Sequence, residues 1–151
     1  MTDSTLTAAA PRTPTSAAEL AQALPAIGRG ARWFWFIAAF TAVNAALNMS
    51  HSNTNFVVGL AFTLLANAML APGAALAVDV LLVGFFALVG LKAKQGQAWA
   101  FILGVVVYAA DALVYVKYED WLPVGIHALA LYYIVTAFLA LQSAKKAAGI
   151  R

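Results

Sequence analysis

Cysteine is absent from the 151-residue chain, which excludes disulfides, thiolate nucleophiles and Cys-ligated zinc or iron–sulfur clusters. Charge is scarce as well: nine Lys or Arg and six Asp or Glu make up 10% of the residues, against about 25% in an ordinary soluble domain. So little polar surface could not cover a globule in water. Catalytic signatures are missing too, with no Gly-x-Ser-x-Gly elbow, no His-Glu-x-x-His and no Walker loop. Gly28-Arg-Gly30 is no dinucleotide fingerprint, because no strand precedes it. A non-enzymatic protein without a bound cofactor is the expectation.

What is present is apolar. Hydrophobic residues make up 64% of the chain and the mean hydropathy is +0.84, so the sequence reads as an integral membrane protein with the lipid bilayer as its solvent. Abundant alanine, the best helix former, makes it all-α. The net charge of +3 and pI near 9.4 do not point to nucleic acid, because the basic residues sit in small groups beside apolar runs. That placement is how topology signals look.

Taken in order, residues 1–31 are rich in Thr, Ala, Ser and Pro and lack the basic start and apolar core of a secretory signal. They read as a flexible cytoplasmic tail. Within it Ser16-Ala-Ala-Glu19 matches a capping box, predicting a short helix over residues 17–24, with Leu20, Leu24 and Ile27 placed to touch the membrane surface. Arg29 and Arg32 then precede Trp33-Phe-Trp-Phe36, the pattern of a cytoplasmic interface. Four spans are expected, over about residues 33–50, 74–91, 97–116 and 122–142, within a bundle covering 32–146 and followed by a cytoplasmic end at 147–151.

Residues 56–71 are apolar but would rise only about 24 Å as a helix, short of the hydrocarbon core of about 30 Å. Charge decides their placement. If they span, the basic residues divide between the two sides without bias. If they lie on or dip into the outer leaflet, eight of the nine basic residues share the N-terminal side and Lys117 alone is outside. The expected fold class is therefore an all-α integral membrane protein, a four-transmembrane-helix bundle with a short re-entrant or interfacial helix on the outer side. Both termini would be cytoplasmic, in a bacterial inner membrane.

The chemistry is concentrated in residues 108–133, where Asp111 and His127 lie in successive apolar runs on either side of one short turn. Ionisable groups in such runs need a partner, a wet cavity or a function. Counted inward from the outer helix ends at about 1.5 Å per residue, Asp79, Asp111 and His127 fall at one depth, with Asn48 and His51 near it. Thr41, Asn44, Asn48 and His51 recur at helical spacing on one face of the first span. Gly104, Tyr108, Asp111 and Tyr115 do so on the third, and Asn67 marks a polar face of the short helix. Asp79, Asp111, His127, Asn44, Asn48, Asn67, Tyr108 and Tyr115 thus form the candidate polar site, with an Asp111–His127 contact at its centre.

Two roles suit that layer: a structural one, in a protein that acts through a membrane-protein partner or as a homo-oligomer, or binding and transport of a small molecule, lipid headgroup or ion. A third reading pairs His51 and His127 as axial ligands of a haem. Ala100 and Gly104 form a small-xxx-small pair that lets another helix approach closely.

Several short motifs resemble those of a family of small, poorly characterised bacterial inner-membrane proteins of about this length. They are Trp33-Phe-Trp-Phe36, Phe56-Val-Val-Gly-Leu60, Lys94-Gln-Gly-Gln-Ala-Trp99, Tyr108-Ala-Ala-Asp111, Asp120-Trp121 and Gly125-Ile-His-Ala128. The resemblance covers about residues 30–142. It implies a membrane location and no established activity. Asp111 and His127 match the pattern, and Asn53 matches it better than His51, which counts against the paired-histidine haem.

Overall fold

The computed structural model describes residues 16–50 and 59–150, and these form helices throughout, joined by short connections. The capping box at Ser16 forms as the sequence predicts: the Glu19 backbone N–H donates to Ser16 Oγ and the Ser16 backbone N–H to Glu19 Oε2, both at 3.2 Å. It starts α1 (Ala17–Ala23). Leu24 is extended because the residue before a proline avoids helical geometry, and Pro25 opens α2 (Pro25–Met49) at the position where its missing N–H costs nothing. The long helix therefore begins well before residue 33, inside the expected tail. Leu20 and Ile27, at 6% and 0% exposed, are buried in the protein rather than laid on a membrane surface. Burial against neighbouring helices removes more apolar area than one-sided contact with an interface would.

The short helix α3 (Ala61–Met69) has nine residues, fewer than the expected 56–71. Gly59 and Leu60 are not helical, and residues 51–58 lie outside the described residues, with His51 and Asn53 among them. After α3 the chain is extended at Leu70 and Ala71, and Pro72 opens α4 (Pro72–Lys94). A turn at Gln95–Gln97 leads to α5 (Ala98–Lys117), and a turn at Tyr118–Asp120 to α6 (Trp121–Ala147).

Four long helices make a closed ring in the order α2, α4, α5, α6, each touching the next. Phe34, Phe86, Phe101, Tyr108, Ile134 and Leu141 fill its axis, all with no exposed surface. The space for this comes from glycine. A Cβ on Gly104 would collide with the Phe34 ring and crowd Val89, and one on Gly30 would collide with Ala137. Gly104 thus admits an aromatic ring from across the bundle rather than a helix backbone.

Each end of the ring carries a short helix. α1 packs on α2, α4 and α6, reaching the α4–α5 turn, where a Cβ on Gly96 (φ 73°) would collide with the Ala17 carbonyl. α3 packs on α4, α5 and α2. Outward, the bundle is apolar: Leu81 is 71% exposed and Leu113 66%, a surface that water would not tolerate over such an area. α4, α5 and α6 are long and apolar enough to cross a membrane. Four such helices are expected from the sequence. α2 is long enough at 25 residues, but Arg32, Thr41, Asn44 and Asn48 leave it less apolar than the other three.

Candidate functional site

Polar side chains gather at the end of the ring that carries α3. Its first residue, Ala61, follows Leu60, which has no side chain able to cap a helix, so the leading N–H groups of α3 lack a local acceptor. Asp111 of α5 supplies it. Its Oδ2 accepts the N–H of Ala61 at 2.9 Å and its Oδ1 that of Phe62 at 2.8 Å. The carboxylate thus caps α3 from another helix and lies at the positive end of the helix dipole. Beside it the Tyr115 hydroxyl donates to the Gly59 carbonyl at 3.3 Å, and the Thr63 hydroxyl donates to that of Leu60 at 2.7 Å. The Leu60 side chain is fully buried in the bundle core.

The expected Asp111–His127 contact is present: His127 Nε2 lies 3.1 Å from Asp111 Oδ2, both side chains being fully buried. On the other side of the ring, His127 Nδ1 lies 2.9 Å from the Pro123 carbonyl. A carbonyl only accepts, so Nδ1 carries a proton, and the Nε2–Oδ2 contact needs one more proton between its two atoms. Whichever atom holds that proton, the pair is neutral as a unit and needs no counter-ion. Tyr108 stacks on the imidazole at 4.2 Å between ring centroids, and Tyr115 leans on it at 5.2 Å. The hydroxyls of Tyr108 and Thr41 are buried and have no hydrogen-bond partner among the described residues.

Asp79 belongs to a separate cluster. Its Oδ2 accepts from Asn67 Nδ2 at 3.1 Å, and the same amide donates to the Thr63 carbonyl at 2.8 Å. The single layer expected from depth counting is thus two clusters, with α3 lying between them: its N-terminus is held by Asp111 and its last turns meet Asp79 through Asn67. Asp79 is only 3% exposed, yet it lines a cavity of about 550 Å³ with Asn48, Met49, Asn67, Pro72 and Gly73. Among the described residues no cation forms an ion pair with the Asp79 carboxylate. Asn44 is buried on α2, one turn before Asn48.

The backbone donors of Ala61 and Phe62 are the members of the site that sequence reading missed. The available signal was negative: Gly59-Leu60 begins a helix with no Ser, Thr, Asp or Asn at its cap. The haem reading involves His51, outside the described residues, and His127, both of whose ring nitrogens have protein partners here. No protein-family model, curated protein or solved structure matches the chain. The functional reading therefore rests on this geometry.

Proposed function

We propose that the chain is a four-span protein of the bacterial inner membrane, with α2 as the fourth span and both termini in the cytoplasm. α3 then sits in the outer leaflet as a re-entrant helix, where its non-helical lead-in is tolerated because protein surrounds it. Its role is binding rather than catalysis, and its ligand is a small molecule carrying one ammonium group, free or as a lipid headgroup, held at Asp79. The Asp111–His127 pair serves the architecture by fixing α3.

One observation carries this reading: a carboxylate 3% exposed lines a cavity of about 550 Å³ and among the described residues is met by an amide, with no cation in an ion pair with it. A buried charge is costly without a partner of opposite sign. A bare metal ion would need several oxygen ligands, and among the described residues no three acidic or histidine side chains converge. An ammonium needs one carboxylate and a few acceptors, which Asn48 and Asn67 supply at this cavity. Met49, Leu70 and Leu76 on the same lining suit the carbon body of such a ligand.

The test uses the full chain in phosphatidylcholine nanodiscs, titrated with ethanolamine or enriched in phosphatidylethanolamine, with thermal unfolding as the readout. Stabilisation that is lost in Asp79→Asn supports the site, because asparagine keeps an acceptor for Asn67 and removes only the charge. A response to free ethanolamine identifies a soluble amine; a response to the lipid alone identifies a headgroup. If neither probe raises the melting temperature, or if Asp79→Asn responds like the parent protein, the proposal is wrong.

A further inference from the structure

The opposite end of the bundle carries a second cavity, of about 520 Å³, lined by Gln22 of α1, by Gly28, Arg29, Arg32 and Trp35 of α2, and by Lys94 of α4. Three cationic side chains from two helices face one space, and no carboxylate lines it among the described residues. Arg29 and Arg32 are three apart on α2, which puts them on one face. Lys94 is the last residue of α4, brought alongside because α2 and α4 pack against each other. Three like charges around a cavity repel one another unless an anion sits among them.

We infer that this cavity binds the phosphate group of an anionic ligand, through the guanidinium groups of Arg29 and Arg32 and the ammonium of Lys94. A guanidinium matches two phosphate oxygens in a planar fork, and a lysine adds a mobile point charge. Gln22 offers an amide donor to a third oxygen, and Trp35, whose indole lies against Gly90 of α4, marks the level of a membrane interface. Basic cavities between membrane helices on the cytoplasmic side take anionic lipid headgroups, whose charge is concentrated in that leaflet. The same chemistry fits free phosphate. Nothing in this assignment depends on the ammonium site at the other end.

Gly28 makes a clean test feasible, because a Cβ there meets nothing within 4 Å. Gly28→Leu adds an isobutyl group on the cavity lining without removing a charge and replaces a poor helix former with a good one. Binding of phosphatidylglycerol, phosphatidylcholine and inorganic phosphate to the purified full chain is measured by native mass spectrometry and thermal shift. The expected result is a preference for phosphatidylglycerol over phosphatidylcholine that falls about fivefold for each cation removed in Arg29→Gln, Arg32→Gln and Lys94→Gln, and that Gly28→Leu abolishes. Competition by millimolar phosphate assigns the site to a soluble phosphate; phosphatidylglycerol binding without such competition assigns it to the lipid. Equal retention of the two lipids with no effect of phosphate overturns the inference, and so does a Gly28→Leu variant that binds like the parent.

Discussion

Asp111 Oδ1 accepts the backbone N–H of Phe62 at 2.8 Å across a separation of 49 residues, so the cap of α3 is held by a helix that comes two elements later. Asp111→Ala removes both caps and strips His127 Nε2 of its partner, a cost of about 3–5 kcal/mol for breaking a buried pair. Asp111→Asn keeps one acceptor oxygen and turns an NH₂ toward the other N–H, costing about 1–3 kcal/mol. Equilibrium unfolding in detergent should rank the two in that order. Amide exchange should show α3 as the first element to lose protection. An Asp111→Ala variant within about 0.5 kcal/mol of the parent would show that the cap does not form.

His127 is bound to the same carboxylate, so the two side chains should not behave independently. A double-mutant cycle of Asp111→Ala and His127→Ala should return a coupling of about 1–3 kcal/mol. Additivity within about 0.5 kcal/mol would separate them.

Tyr108 supplies a test of opposite sign. Its ring stacks on His127, while its hydroxyl is buried without a partner among the described residues. Tyr108→Phe keeps the stack and removes the orphaned group, which should stabilise the protein by about 1 kcal/mol. Loss of stability on that change would mean that the hydroxyl is bonded in the native protein.

Gly104 and Phe34 should show compensation. Gly104→Ala pushes a methyl into the Phe34 ring, an overpacking cost of about 1–3 kcal/mol. In Phe34→Leu the ring atoms that would collide are gone, so the added methyl should cost much less. Equal costs in the two backgrounds would place the strain elsewhere.

How far the sequence carries depends on the kind of contact. The Ser16 capping box and the turn at Gly96 are local chemistry and are legible directly, whereas the starts of α2 at Pro25 and α4 at Pro72 precede the expected spans, because each proline reads equally as an interruption and as a first helical residue. The Asp111–His127 contact is legible because two costly groups six or so residues from a shared turn have few other places to go. The division of the layer by α3 is not, because Asp111 also bonds to backbone N–H groups, which every residue but proline carries and no side-chain pattern announces. Burial of Leu20 and Ile27 was hidden for a related reason: a tail composition rich in Ala and Pro looks the same whether or not a helical end is free to receive it. The cationic cavity was half visible, since Arg29 and Arg32 read as a topology signal, and only the packing of α4 on α2 adds Lys94.

The remote cap of α3 also sets an order of events during biosynthesis. Ala61 leaves the ribosome 50 residues ahead of the carboxylate that will receive its N–H, and at about 5–20 residues per second that is a delay of several seconds. Through that interval Leu60 and the first turn of α3 have neither their cap nor the α5 wall against which they pack. The segment therefore has to wait with its leading N–H groups uncapped, and α3 takes its final place only after α5 has been made.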